Sequence, residues 1–497
     1  MSKYILAIDQ GTTSSRAIIY TTALQAVASA QQELPLSYPK PGWVEQNPEQ
    51  IWQSVYNCIT SVLQQAGLSA SDIAGIGITN QRETTLLWHK TTGKVLHPAI
   101  VWQDRRGSNQ CQQLKDAGLE ALLQQKTGLV ADPYFSATKL SWLLQHIAGA
   151  KQQAENAELC FGTVDSYLLW QLTGGKVHAT DASNASRTLL FNIHSQCWDD
   201  ELLKLFDIPS ALLPEVKDNA GLFGVTDSKL FGAAIPVLSM IGDQQAALLG
   251  QACVKTGMTK STYGTGCFAV VNTGEQIINS QHKLLTTLAW RLNGSSTYAL
   301  EGSIFMAGAT VQWLRDKLGV ITEAGETEVL AQQSHYKQTE LLIPAFTGLG
   351  TPYWQPEIKA ALFGMTRDTG RPQLAAAALC SVAYQSRDLL TAIAQDGIAV
   401  DSLRVDGGMT ANRWYLQALS DLTQTRLTRC HTTDATALGA AFLAACELGY
   451  FSAVNDIEQV WQAGGQFQPR ITTHDADKLY QRWQDAVSAL IKLDLSV

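Results

Sequence analysis

Short apolar runs alternate along this chain with longer amphipathic ones, the order expected of an α/β protein. Tyr4–Ile8 and Ala17–Tyr20 read as two strands that flank a polar turn, Asp9–Arg16. Ile51, Val55, Ile59, Val62 and Leu63 then recur at helical spacing. They follow Asn47 as a cap and Pro48 at the first helical position, with Gln50 placed to complete a capping box. Ile73–Thr79 and Ala99–Gln103 read as buried strands, and Pro236–Ile241 as another. That third strand runs into Gly242-Asp243 and a short helix through Leu249. Beyond it, Met258–Thr262, Cys267–Val271, Thr297–Glu301, Leu341–Pro344 and Leu403–Val405 read as strands. Ala307–Leu318, Leu374–Gln395, Arg413–Gln424 and Asp434–Leu448 read as helices, the last so rich in alanine that it suits tight packing on a sheet.

One arrangement occurs twice. The first hairpin carries Gly11, Thr12, Thr13, Ser14, Ser15 and Arg16 at its tip; Met258–Thr262 leads into Tyr263-Gly264-Thr265-Gly266 and out through Cys267–Val271. A turn that merely reverses the chain needs glycine with Asn or Asp, not a row of hydroxyls. Hydroxyls, backbone N–H groups and a carboxylate suit a polyphosphate with its hydrated Mg²⁺, for which Asp9 is the candidate ligand. A plain polar surface hairpin is the alternative. Two such hairpins predict two similar halves around one nucleotide. The chain has 497 residues, which suits domains at 1–248 and 249–497 with a hinge near 245–257. A third glycine pair, Asp406-Gly407-Gly408, ends a strand just before Asn412.

Composition narrows the class. Hydrophobic residues make up 45% and charged residues 16%, which fits a globular enzyme with a large core. The net charge of −8 and the lack of a basic stripe argue against a nucleic-acid partner. Nine scattered cysteines without a C-x-x-C pair predict a reduced, cytoplasmic protein without structural zinc. No apolar run approaches the ~18 residues that membrane insertion requires.

Two segments carry candidate acceptor chemistry. Asn80-Gln81-Arg82-Glu83-Thr84 follows directly on a strand, where α/β folds place ligands. Such a cluster rejects analogues that lack a hydroxyl, because its own polar groups would go unpaired. Asp243 ends an apolar strand and opens a helix, so it reads either as a general base or as an ordinary helix cap. Trp102, Tyr134 and Phe268 read as core by default; Phe268, in the second hairpin, also suits packing against a small substrate's carbon edge.

These segments, together with Pro39–Glu45, Asp132–Phe135, Ser183–Thr188, Phe305–Gly308 and Pro344–Gly350, resemble the glycerol-kinase branch of the FGGY carbohydrate kinases from end to end. The resemblance implies an actin-like fold, two ribonuclease-H-like domains around a central cleft for nucleotide and substrate. It implies ATP:glycerol phosphotransfer with ATP/ADP and Mg²⁺, and assembly as a homodimer or homotetramer. It implies that Arg82, Glu83, Trp102, Tyr134, Asp243, Gln244 and Phe268 hold glycerol, with Asp243 as the base. It further implies that Thr12, Thr13, Ser14, Arg16 and Thr265 face the phosphates, that Gly308, Gln312, Gly408 and Asn412 hold the rest of the nucleotide, and that Asp9 serves the metal. Some relatives bind fructose 1,6-bisphosphate as an inhibitor through an Arg-bearing loop. The corresponding Gly221–Pro236 offers only Lys229 as a cation, so weak or absent inhibition there is expected. Around Ile471–Ala476 the fit is poor, which argues against a regulatory protein docking there. Another sugar kinase of the same family, a non-catalytic ATP-dependent clamp and a phosphohydrolase are the competing readings.

Overall fold

The computed structural model describes residues 4–355, 358–431 and 434–493. Two mixed sheets organise the chain. The first takes β1 (Tyr4–Gln10), β2 (Ser14–Thr21), β3 (Ala26–Glu33), β4 (Ile73–Asn80), β5 (Ala220–Val225) and β6 (Pro236–Gly242), in the order β5-β6-β4-β1-β2-β3. The second takes β7 (Thr259–Tyr263), β8 (Cys267–Gly274), β9 (Leu285–Leu292), β10 (Ser295–Ile304), β11 (Ser402–Asp406), β12 (Arg426–Cys430) and β13 (Ala463–Phe467), in the order β9-β10-β8-β7-β11-β12-β13.

The two orders match strand for strand once the extra edge strand β9 is set aside. In each, a central strand (β1, β7) forms an antiparallel hairpin with its successor and lies parallel to a later strand (β4, β11). A second parallel strand follows (β6, β12), then an antiparallel edge (β5, β13). This is the ribonuclease-H-like arrangement expected from the sequence, present twice.

Alternation along β1 explains why its sheet is covered on both faces. Leu6 and Ile8 pack with Ile51, Val55, Ile59 and Val62 of α1 (Pro48–Ala66), while Ile5 and Ala7 pack on the other face. A strand apolar on both sides belongs inside a sandwich of helices. The cover on that second face comes from far along the chain, in the alanine-rich α7 (Ala435–Glu447), which lies across β1, β4 and β6. Ser239 Oγ donates to the Ala440 carbonyl at 2.7 Å. The same helix crosses α3 (Asp243–Gly250) at backbone distance: a Cβ at Gly250 or Gly439 would run into the carbonyl of Ala435 or Ala246.

Several boundaries differ from expectation for local reasons. The first turn is only Gly11–Thr13; Asp9 and Arg16 face each other as register partners inside the hairpin. Asn47 caps α1 through the Glu49 amide, without the capping box expected at Gln50. Ala99–Gln103 is extended only over Ala99–Ile100, after which the chain turns. The cap position before α3 is Gly242, while Asp243 at the first helical position accepts from the Gln244 amide at 2.7 Å through Oδ1. None of the nine cysteines is in a disulfide, and among the described residues no helix is long and apolar enough to cross a membrane.

In the second half, α4 (Gly308–Asp316), α5 (Arg371–Gln395), α6 (Arg413–Thr423) and α8 (Thr473–Lys492) complete the layers. Buried Asp388 of α5 accepts from Tyr480 Oη at 2.7 Å and Trp483 Nε1 at 2.9 Å of α8. Burial outweighs these donors and pushes its carboxyl up to about 7. A folded-state pKa above the unfolded one contributes stability that is complete below about pH 4 and fades as pH rises through about 7. The thermal midpoint is therefore expected to fall between pH 5.5 and pH 8, by an amount corresponding to at most about 2 kcal/mol. Asp388→Asn should flatten that slope, as measured by calorimetry at both pH values.

Candidate active site

Both hairpins, the exits of β4 and β6 and the end of β11 open onto one region between the sheets. At its centre lies Arg82, just past β4. Its guanidinium makes a two-pronged pair with Glu301 of β10, Nη1 to Oε2 at 2.6 Å and Nη2 to Oε1 at 3.1 Å. Its Nε faces Asp243 Oδ1 at 3.2 Å. Arg187 joins from the other side, with Nε on Glu83 Oε1 at 2.6 Å and Nη2 on Glu301 Oε1 at 2.9 Å. The Arg82, Glu83, Arg187 and Glu301 side chains are at most 2% exposed, whereas that of Asp243 is 28% exposed. The cluster thus opens to solvent at Asp243.

The backbone here is strained. Glu83 has φ of +60°, and the Thr84 amide donates back to the Arg82 carbonyl at 2.7 Å. That is a γ-turn of the rare positive-φ kind, a conformation that persists only where its surroundings hold it.

Three aromatic rings wall the opening. Trp102 meets Tyr134 edge-on at 5.6 Å and Phe268 at 6.0 Å, and the Arg82 guanidinium lies 6.0 Å from the Phe268 ring centroid. The chain turns after Ile100 so that Trp102 Nε1 can donate to Thr12 Oγ1 at 2.9 Å, tying the acceptor wall to the first hairpin. Tyr134 is presented by a turn before α2 (Ser136–His146) that Lys139 clamps. Its buried Nζ donates to the carbonyls of Pro133, Tyr134 and Phe135 at 2.8, 2.6 and 3.0 Å. Burial lowers this lysine to about 8.

The comparisons with known proteins coincide with this geometry. The model of the N-terminal domain of the FGGY family of carbohydrate kinases matches residues 4–250, and that of the C-terminal domain matches residues 259–448. The chain belongs to the FGGY family of carbohydrate kinases. It is 55% identical to glycerol kinase 1 of Pseudomonas aeruginosa over 98% of this chain and 99% of that protein. It is 52% identical to the glycerol kinase of Alteromonas mediterranea over 99% of each. The crystal structure of Plasmodium falciparum glycerol kinase with ADP superposes with a TM-score of 0.92 at 34% identity, covering 99% of both chains.

Within this FGGY kinase fold several of the nucleotide-side candidates already have partners in the protein, and others are exposed. Thr12 accepts from Trp102, Ser14 Oγ accepts from Gln31 Nε2 at 3.1 Å, and Thr13 is exposed. Arg16 is held by Asp434 and Gln31. Carbonyls of the second hairpin meet the start of α4: Gly264 accepts from the Gly308 amide at 2.9 Å, and Thr265 accepts from Ala307 and Ala309. Gln312 and Gly408 are exposed, and nothing lies within 4 Å of a Cβ built at Gly408. Gly407 has φ of +91° and touches the Tyr263 backbone, so a side chain is barred there by both conformation and space. Asn412 caps α6 through the Tyr415 amide and donates to Thr327 Oγ1 at 3.3 Å. Lys229, the single cation of Gly221–Pro236, is exposed on a short helix.

Two carboxylates, Asp9 and Asp243, lie within electrostatic reach of each other. Burial raises Asp243, while the charges of Arg82 and Lys260 hold it down. Burial and the Asp243 charge push Asp9 up to about 7, against the pull of Arg16. Lys260, fully buried on β7, donates to Gln244 Oε1 and to Thr262 Oγ1 at 3.0 Å, so Gln244 is fixed from the second sheet. Sequence reasoning gave no role to Lys260, Arg187, Glu301 or Lys139. A visible signal was present in one of them: Glu301 is the only charged residue of the strand Ser295–Ile304.

Proposed function

We propose that this FGGY kinase transfers the terminal phosphoryl group of ATP to glycerol, giving sn-glycerol 3-phosphate. One observation carries the reading. In an otherwise buried ion cluster, Asp243 alone keeps its carboxylate partly open, against Arg82 and beside a wall of Trp102, Tyr134 and Phe268. A triol fits such a surface: hydroxyls against Arg82, Glu83, Tyr134, Asp243 and Gln244, carbon edge against the rings. The glycerol kinases at 55% and 52% identity support the choice of acceptor.

Phosphoryl transfer places little covalent demand on a protein; positioning and charge neutralisation dominate. Asp243 accepts the proton of a terminal hydroxyl as that oxygen attacks. Burial makes it more basic than a surface aspartate, which brings its proton affinity closer to the task. The hairpin groups Thr12, Thr13, Ser14, Arg16 and Thr265 hold the phosphates, and Gly308, Gln312, Gly408 and Asn412 border the remainder of the nucleotide. Arg16 exchanges Asp434 and Gln31 for phosphate oxygens as nucleotide enters. Enclosure by the second half keeps water, a rival nucleophile, from the transferring group.

The residues fit Mg²⁺. Burial and the Asp243 charge push Asp9 up, a state that a bound cation beside it would relieve. Among the described residues no group of three or more His, Cys, Asp or Glu could hold a metal unaided. Asp9 would be the protein's own contribution to such an ion. When bound, Mg²⁺ supplies charge neutralisation on the phosphate oxygens.

An ADP-release assay across glycerol, dihydroxyacetone, xylulose and erythritol tests the reading. Glycerol should give the highest kcat/KM, with negligible ADP release without an acceptor. A preference for a longer polyol, or acceptor-independent release, would overturn it.

A further inference from the structure

Arg82 belongs to the acceptor pocket, yet it is oriented from elsewhere. Its firmest partner is Glu301, on β10 of the second sheet, 219 residues away in sequence. Glu301 is fully buried and grips two arginines at once, which holds its own carboxyl down to about 2 despite burial. Both Glu301 oxygens are engaged by Arg82, and Oε1 is shared with Arg187. Arg187 then carries the link to Glu83, whose strained φ needs a support that local sequence does not provide. Removal of any one member leaves the remaining buried charges with fewer partners to balance them.

We propose that Glu301 and Arg187 are positioning residues for the acceptor. Glu301 fixes the plane of the Arg82 guanidinium, and Arg187 fixes the Glu83 carboxylate. Neither needs to touch glycerol. The pocket for the alcohol is therefore assembled by both halves of the chain, and its selectivity depends on a strand of the half that carries the second phosphate hairpin. This rests on the acceptor being bound at Arg82 and Glu83, as argued above.

The test is a split of Michaelis constants. Glu301→Gln keeps size and one acceptor oxygen but removes the charge that fixes two guanidinium groups. KM for glycerol should rise at least about tenfold, the scale of truncating one partner of a buried charge pair. KM for ATP should stay within about threefold, because no nucleotide-side group contacts the cluster. Arg187→Lys keeps the charge but loses the planar fork, and should shift KM for glycerol in the same direction. If Glu301→Gln does not fold, Arg187→Lys alone decides. Unchanged glycerol KM in a folded variant, or equal changes in both constants, would overturn the proposal. Failure of the wild-type protein to phosphorylate glycerol would instead strike the functional reading and leave the cluster's geometry to be retested with the acceptor found.

Discussion

Asp243→Asn is expected to lower turnover by about 10²–10⁴-fold, the range that a positioned general base contributes. The substitution is nearly isosteric. Its oxygen can still accept from the Gln244 amide, now at 2.7 Å from Asp243 Oδ1, so the start of α3 should keep its shape. What disappears is the group able to take a proton from the attacking hydroxyl. ADP affinity should change little, because the hairpin turns and the glycines after β11 do not rely on Asp243. Steady-state turnover and ADP binding by calorimetry measure the two quantities separately. Turnover near wild type would assign proton removal to another group.

The second large effect concerns Arg82→Met, which keeps much of the side-chain volume and loses the charge. Glu83 and Glu301 would then share Arg187 alone, although each raises the cost of ionising the other inside the cluster. Breaking a buried pair by removing one partner costs about 3–5 kcal/mol. Thermal unfolding should begin at a clearly lower temperature, followed by calorimetry without a two-state assumption, since a chain of two halves need not unfold in one step. Glycerol should stabilise the wild type by mass action and leave the variant unmoved, because the variant no longer binds it. A variant that melts like wild type would mean that the cluster relaxes or protonates at little cost.

Local features were legible in the sequence, and distant pairings were not. The two glycine hairpins showed themselves because strand, turn and strand are adjacent in the chain. The polar cluster after Ile73–Thr79 and the carboxylate after Pro236–Ile241 were found for the same reason, since both strands end at the sheet edge where the cleft opens. The first turn was read too long because Asp9 and Arg16 look like loop residues; pairing across β1 and β2 places them in the strands. Ala99–Gln103 was read too long because its apolar pattern hides a long-range demand, the reach of Trp102 to Thr12. Glu301 and Arg187 lay beyond reach altogether. Their partners are up to 219 residues away, and no periodicity reports which buried charges will meet.

The helix α7 lends its own moral to the matched topology of the two sheets. A fragment ending at residue 250 would bare the face of β1, β4 and β6 that Ala437, Ala440 and Ala441 now cover, and the complementary fragment would carry that alanine surface into water. The two units look like copies, yet each has surrendered self-sufficiency to the other. Any shuffling of one unit into a different protein would have to bring along a foreign helix with a face equally smooth.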